Sequence, residues 1–267
     1  MKEKNSEILK GLFEAAKLKP EFSLSLYSEP FLSQRLDHYA KKWNLTPAEA
    51  IYKITVEAQY LEDFHSGLSI NVSNFFRDKK LYTHLGHYIL DWLKTFQKIN
   101  VWSVGCSMGE EPISLAIWLE ANGLLERSTI YATDSSTEII KKAKEANYSS
   151  ETIAHGAKNC PMSIGPESFL AFFRDNKPIN NLSKHISYFK HSAIYDKSYA
   201  QMQLIYCANM MIYYNKEGQH KILSLLKESS MKGTYLALGS SELIESQSLT
   251  YFNIKKIDCP SRLYRFA

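Results

Sequence analysis

Residues 101–112, VWSVGCSMGEEP, carry the strongest local signal in the sequence. An apolar run enters a turn that contains Gly105 and Gly109, and a helical pattern begins directly after it. Glycine permits positive φ angles and a close approach between backbone and ligand, and the first amides of a helix face whatever binds there. We therefore expect a ligand-binding turn between a buried strand and a helix, with Gly105 as a candidate binding residue.

An acidic residue ends the next β-rich segment, STIYAT at 128–133. This residue, Asp134, follows Gly109 by 25 positions. In α/β nucleotide folds an acid at the tip of the second strand accepts hydrogen bonds from ribose hydroxyls. The middle glycine of the usual GxGxxG turn is missing, so an ordinary strand-turn-helix with a solvated aspartate is the alternative.

Two acids, Glu110 and Glu111, occupy the first turn of the predicted helix. They would repel an anionic pyrophosphate at that helix end. A cationic sulfonium with an α-amino group would tolerate or use them, which favours S-adenosylmethionine over NAD as the ligand. The simpler alternative is that the acids only stabilise the start of the helix.

The wider chain alternates β-rich runs with helical patterns. The runs are 99–104, 128–133, 185–189, 203–208, 233–238 and 263–267. This alternation predicts an α/β fold with a mostly parallel sheet and helices on both faces. Before it, Thr46 and Glu49 form a capping box around Pro47, and apolar positions recur at helical spacing through residue 64. We expect a helical N-terminal domain at 1–66, a linker at 67–78 that contributes to the site, and the main domain at 79–267.

Composition excludes several classes of protein. The 267 residues are 45% hydrophobic and 22% charged, which is typical of a globular chain. A net charge of +4 is too small for a dedicated nucleic-acid binder, and no apolar run is long enough for membrane insertion. The four cysteines form no CxxC pair, which argues against a zinc site and a disulfide framework. We expect a cytoplasmic protein without a metal site.

Several ordered blocks resemble one family, the CheR-type chemotaxis receptor glutamate methyltransferases. They are NVSNFFRD at 71–78, VWSVGCSMGEEPISLA at 101–116, IYATDSS at 130–136, LIYCANMMIYYN at 204–215 and TYLALGSSELI at 234–244. The similarity spans roughly residues 20 to 266. It implies a Rossmann-like S-adenosylmethionine-dependent methyltransferase domain behind a small all-helical one.

The resemblance also implies an activity and a site. The activity is methyl transfer from S-adenosylmethionine to glutamate side chains on the cytoplasmic helical domain of chemoreceptors, with S-adenosylhomocysteine as product. With Gly105 of the turn, the implied cofactor-binding residues are Asn71, Ser73, Arg77, Glu111, Asp134, Asn209 and Met210. The implied catalytic residues are Arg77 and Tyr213.

The chemistry suits these residue types. Methyl transfer to a carboxylate is an in-line displacement in which alignment supplies most of the catalysis. A free glutamate has a pKa of about 4.3, so no strong general base is needed. Arg77 offers a planar fork of donors for the acceptor anion, and Tyr213 offers a hydroxyl to orient it. The alternatives are a surface salt-bridge role for Arg77 and a core role for Tyr213.

Three positions depart from the family pattern: Ala193, Ala208 and Ser240 replace polar residues expected there. Charge is also unusual, because residues 1–70 carry −1 and residues 71–267 carry +5. Two other functions therefore stay open. One is a noncatalytic S-adenosylmethionine-binding or scaffold module, and the other is a methyltransferase for another protein or a small molecule.

Overall fold

The structure is a computed structural model that describes residues 11–13, 24–68, 73–198 and 201–267. The chain divides into two compact units. The first contains Met1–Ile70 and Ile212–Gln219, and the second contains Asn71–Met211 and His220–Ala267.

The first unit is helical. A short 3-10 helix, Leu24–Leu26, precedes the helices Glu29–Lys42, Pro47–Val56 and Ala58–Ser66. The predicted capping box is confirmed, because the Glu49 amide donates to the Thr46 hydroxyl at 3.3 Å and the Thr46 amide donates to Glu49 Oε2 at 2.8 Å. Fully buried side chains such as Leu32 and Phe64 form its core.

One predicted helix of this unit is broken in two. The helical spacing from Thr46 to residue 64 indicated a continuous helix, but Glu57 adopts an extended conformation with φ −122° and ψ 111°. The three residues before it, at 54–56, are all β-branched and have weak helix propensity. The Thr55 hydroxyl also donates to the Ile51 carbonyl at 2.9 Å, a contact that bends helices.

The second unit is built on a seven-stranded sheet, counted over the described residues. Its strands are β1 Ile99–Val104, β2 Ser128–Asp134, β5 Ile186–Lys190, β6 Met202–Cys207, β7 Ser230–Leu238, β8 Ile254–Lys256 and β9 Leu263–Phe266. A separate small hairpin pairs β3, Phe173–Arg174, with β4, Lys177–Pro178. The order is β5-β2-β1-β6-β7-β9-β8. Only the pairs β7–β9 and β8–β9 in this sheet are antiparallel, so the predicted mostly parallel sheet is confirmed.

Helices connect these strands. They are Lys79–Tyr88, Leu90–Lys94, Glu110–Ala121, Thr137–Glu145, Ser150–Asn159, Pro166–Leu170, Asn180–Ser183, Lys216–Glu228 and Ser246–Tyr251, with 3-10 turns at Leu125–Arg127 and Met211–Tyr213. Ile89 separates the helices Lys79–Tyr88 and Leu90–Lys94. Hydrogen bonding resumes at once, because the Leu93 amide donates to the Ile89 carbonyl at 2.9 Å.

The topology places one edge of the sheet in position for a ligand. From β1 the chain proceeds to β2 and β5 on one side, and it then returns to β6 and β7 on the other. The strand order therefore reverses between β1 and β6, and ligands of open α/β sheets bind at the carboxyl ends of strands at such a point. The residues that follow β1, β2, β6 and β7 meet there.

All four cysteines, Cys106, Cys160, Cys207 and Cys259, are buried free thiols. Within the described ranges, no helix is both long enough and apolar enough to cross a bilayer.

Candidate active site

The turn after β1 is held in a conformation that glycine allows. Gly105 has a φ of 72° and Gly109 a φ of 97°, and Ser107 between them also has a positive φ of 51°. A Cβ at Gly109 would lie 2.8 Å from the Tyr148 hydroxyl oxygen. The amides of Gly105 and Cys106 both donate to the Thr133 carbonyl at 2.8 Å, which ties this turn to the end of β2.

Asp134 stands at the carboxyl end of β2 and faces this turn. Its Oδ2 accepts from the Ser107 amide at 3.2 Å, and its Oδ1 accepts from the Ser136 amide at 3.0 Å. Burial raises the pKa of Asp134, and these backbone hydrogen bonds oppose the rise. Because each carboxylate oxygen accepts about two hydrogen bonds, the side chain keeps acceptor capacity for a ligand.

The two acids of the first helical turn have different surroundings. Glu110 is buried, and burial raises its pKa while a hydrogen bond with the Ser73 side chain opposes the rise. Its Oε2 is buried without a hydrogen-bond partner in the described part of the chain. Glu111 is half-buried and accepts a 2.6 Å hydrogen bond from the Ser103 hydroxyl. Burial holds its pKa well above the usual value, Glu242 adds to the rise, and Arg77 opposes it.

A buried carboxylate fixes the loop after β6. Glu242 Oε2 accepts from the amides of Asn209 and Gly239, each at 2.7 Å. Its Oε1 accepts from the amides of Met210 at 3.0 Å and Met211 at 2.8 Å. Burial raises the pKa of Glu242, and the four backbone hydrogen bonds oppose the rise. One side chain thereby joins the carboxyl ends of β6 and β7.

The same loop packs against the glycine turn. A Cβ at Gly105 would lie 3.3 Å from Met210 Sδ, so Gly105 leaves room for the methionine side chain. Asn209 adopts a φ of 60°, and its side chain lies over Gly239, where a Cβ would come within 2.9 Å of the amide group.

The second unit brings most of the predicted site residues to one edge of the sheet. Four of them lie at or just after the carboxyl ends of strands: Gly105, Asp134, Asn209 and Met210. The fifth, Glu111, lies at the start of the helix that follows β1. The segment that contains Ser73 and Arg77 is anchored there too. Its Phe76 is buried, and the Phe76 amide donates to the Ser114 hydroxyl at 3.0 Å.

This geometry does not test two other predicted residues. Tyr213 belongs to the first unit, where its ring lies 4.8 Å from that of Phe31 and its carbonyl accepts from the Ser28 amide at 2.9 Å. Its catalytic role stays a prediction. Asn71 lies outside the described residues.

Sequence reasoning did not identify Glu242 as the support of the loop, and it named Glu110 in the first helical turn without assigning it to the site. The signal for Glu110 was its place beside Glu111 in the first helical turn. The signal for Glu242 was an acid directly after an apolar strand that ends in glycine, LALGSSE at 236–242. Such a signal indicates a polar loop and does not identify its partners.

A cationic cofactor with ribose hydroxyls fits these residues. Two buried polar atoms at this edge, Glu110 Oε2 and the Ser107 hydroxyl oxygen, are without hydrogen-bond partners among the described residues. Unpaired buried polar atoms are costly, and a ligand that carries amino and hydroxyl groups would satisfy them. Burial raises the pKa of Glu110 and of Asp134, and a cationic ligand would favour their ionised forms.

The family model described as CheR methyltransferase, SAM binding domain, matches residues 71–259. The chain belongs to the CheR methyltransferase family. It is therefore a methyltransferase that uses S-adenosylmethionine as its cofactor, as the residues of the turn predicted.

Relatives agree with this membership over most of the chain. A protein named Cher3 from Pseudomonas putida is 29% identical over 269 residues, which cover 98% of both chains. A chemotaxis protein methyltransferase of Listeria monocytogenes is 32% identical, over 83% of this chain and 84% of its own. A chemotaxis protein methyltransferase of Borreliella burgdorferi is 29% identical over 69% of each chain.

The glycine turn of this CheR chain also contains a buried thiol, that of Cys106. Burial, with Asp134 and Glu111 nearby, holds the pKa of Cys106 well above its usual value, so its thiol stays protonated. A protonated thiol is a poor nucleophile. Across the described residues, no group of three or more histidine, cysteine or acidic side chains is placed to hold a metal ion.

Proposed function

We propose that the protein is a protein-glutamate O-methyltransferase that forms glutamate methyl esters on the cytoplasmic helical domain of chemoreceptors. The observation that carries this proposal is the charge arrangement at the carboxyl edge. Several buried carboxylates suit a cationic cofactor, and the exposed guanidinium of Arg77 is close enough to Glu111 to influence its pKa. The relatives named chemotaxis protein methyltransferases support the same activity. The protein would act in the cytoplasm, where that receptor domain lies.

The cofactor would be held by residues of the glycine turn and its neighbours. Asp134 has the position and spare acceptor capacity for ribose hydroxyls. Glu110 Oε2 and the Ser107 hydroxyl would accept hydrogen bonds from further donors. Gly105 and Met210 pack against each other and would together border the bound molecule. When bound, S-adenosylmethionine supplies a methyl group that its sulfonium makes electrophilic.

The remaining task of the chain is to bring an anionic acceptor into line. A glutamate carboxylate is ionised near neutrality, so the protein needs no base to create the nucleophile. Arg77 would bind one carboxylate oxygen or both through its planar fork of donors. Positioning of this kind supplies several kcal/mol of a barrier, up to about 7–11 kcal/mol in well-oriented systems. Tyr213 would orient the acceptor through its hydroxyl.

A noncatalytic binding module is the competing proposal, and Ala193, Ala208 and Ser240 are the residues that motivate it. Ser240 keeps a structural contact, since its amide donates to Asp78 Oδ2 at 3.3 Å. Ala208 packs against the buried core of the second unit. Arg77 and the buried acids of the carboxyl edge are all present, and their presence supports an active enzyme.

The decisive experiment supplies methyl-labelled S-adenosylmethionine and receptor-containing membranes from the protein's own source. We expect the label to appear on the receptor proteins. Treatment with mild base should release it as methanol, because carboxyl methyl esters hydrolyse in mild base. Cofactor binding without any labelled protein would favour the noncatalytic module. Label that resists base would show an acceptor other than a carboxylate.

A further inference from the structure

A cavity of about 470 Å³ opens beside Arg77 in the second unit. Three segments enclose it: residues 77–81 at the start of the helix Lys79–Tyr88, the end of β7 with Ser240, and residues 260–262 before β9. We name it the basic pocket. Of the proposed cofactor-binding residues that the structure describes, Arg77 alone lines it.

The charges of the basic pocket are strongly unbalanced. Its described lining contains four basic side chains and one acid, which gives a net charge of +3. They are Arg77, Lys79, Lys80 and Arg262, with Asp78 as the acid. Within the described ranges, Lys79, Lys80 and Arg262 form no ion pair. Asp78 accepts a hydrogen bond from the Ser240 amide. The pocket therefore favours an anion.

The position of the two lysines adds to this field. Lys79 and Lys80 begin a ten-residue helix, where the unpaired amides already carry partial positive charge. Cations in the first helical turn are unfavourable for the helix itself. A ligand anion at the pocket would be attracted both by the amides and by the lysines.

The opposite wall of the pocket is fixed before any ligand binds. His84 Nδ1 and the Ser261 hydroxyl are 2.6 Å apart, and the Tyr88 hydroxyl donates to the Asp258 carbonyl at 3.1 Å. The Leu238 amide donates to the Arg262 carbonyl at 2.9 Å. These contacts tie the loop before β9 to the helix and to β7, so little ordering is required on binding.

We propose that the basic pocket binds a second carboxylate of the substrate, next to the glutamate that is methylated. The inference rests on the proposed function, since Arg77 lines the pocket and also influences Glu111 at the carboxyl edge. The favoured substrate is thus an acidic helical segment in which an aspartate or glutamate neighbours the acceptor. The specificity comes from Lys79, Lys80 and Arg262.

The test measures binding of a dye-labelled acidic peptide from a receptor methylation segment, by fluorescence anisotropy at low salt. A second peptide has glutamine in place of the acid beside the acceptor. The variant Lys80→Gln with Arg262→Gln removes two pocket charges. The control, Lys98→Gln with Lys232→Gln, removes two exposed charges at the amino end of the parallel strands.

We expect the pocket variant to bind the acidic peptide about 5-fold more weakly, because two partly exposed charge pairs with the peptide are lost. The glutamine peptide should bind the variant and the wild type alike, the control should match the wild type, and cofactor affinity should not change. Equal weakening for both peptides, or none for either, would overturn the proposal. Failure of the proposed function would give a different result. The wild-type protein would then bind the acidic peptide in a pocket-dependent way and form no methyl ester on it.

Discussion

Replacement of Glu242 by glutamine should loosen the loop that follows β6. The glutamate accepts four backbone hydrogen bonds, two on each oxygen, from residues 209–211 and from Gly239. Glutamine has nearly the same shape but only one acceptor oxygen, so its NH₂ group would face two backbone amides. The change therefore tests whether this carboxylate holds the loop in place.

The expected loss of stability follows from the orphaned donors. Each buried donor without an acceptor costs about 1–3 kcal/mol, which gives about 2–6 kcal/mol for two. Removal of a buried charge offsets part of this loss, because burial raises the pKa of Glu242. We expect a net decrease of about 2–4 kcal/mol in the free energy of unfolding.

Urea unfolding with a fluorescence readout measures this change, and calorimetric titration with S-adenosylmethionine measures its effect on the site. Affinity should fall along with stability, because Asn209 and Met210 depend on Glu242. The control is Glu228→Gln, at an exposed position, which should stay within about 0.5 kcal/mol of the wild type. A Glu242→Gln protein with wild-type stability and wild-type affinity would show that this carboxylate does not hold the loop in place.

Three further predictions concern the site. Arg77→Ala should lower turnover at least about 10-fold with little loss of stability, whereas Asp134→Ala should mainly weaken S-adenosylmethionine binding, about 10-fold or more for a lost charge-assisted hydrogen bond. Kinetics and calorimetry separate the two, and equal losses of thermal stability would mean that both residues are structural. Gly109→Ala should destabilise the protein by about 1–3 kcal/mol in thermal unfolding, because of its φ of 97° and a tyrosine hydroxyl within 2.8 Å. Gly123→Ala, with a φ of 66° and no atom within 4 Å of the added carbon, should cost less, and a larger loss there would contradict this. Burial raises the pKa of Glu110 and of the other site acids, so their contribution to stability is complete below their unfolded pKa values and is lost as pH rises through the folded ones. A cationic cofactor favours the ionised acids, so its affinity should rise with pH, with proton release detectable by calorimetry in two buffers. Affinity that falls as pH rises would be inconsistent with this charge balance.

Much of the fold could be predicted because it depends on local pattern. Strand-like runs that alternate with helical periodicity indicate parallel strands, whose carboxyl ends meet at one edge. That geometry alone placed Asp134 near Gly105. The break at Glu57 was not predicted, because a pattern of apolar spacing does not report a local change of backbone angle.

The support of the site could not be predicted because it depends on tertiary register. Glu242 reaches amides that lie 31 to 33 residues earlier in the chain. This contact requires β6 and β7 to pair with Cys207 opposite Leu238. Tyr213 was assigned to the site through the resemblance alone, and its role stays a prediction. The chain from Ile212 to Gln219 belongs to the first unit, where Tyr214 pairs with Tyr27.

We propose that this CheR protein transfers the methyl group of S-adenosylmethionine to a glutamate carboxylate. The most direct measurement is fragmentation mass spectrometry of a receptor segment after reaction with the purified protein and cofactor. We predict one added methyl group on a glutamate side chain, removed by mild base and absent when that glutamate is replaced by alanine. A methyl group on lysine, arginine or a backbone amine, stable to base, would contradict the claim.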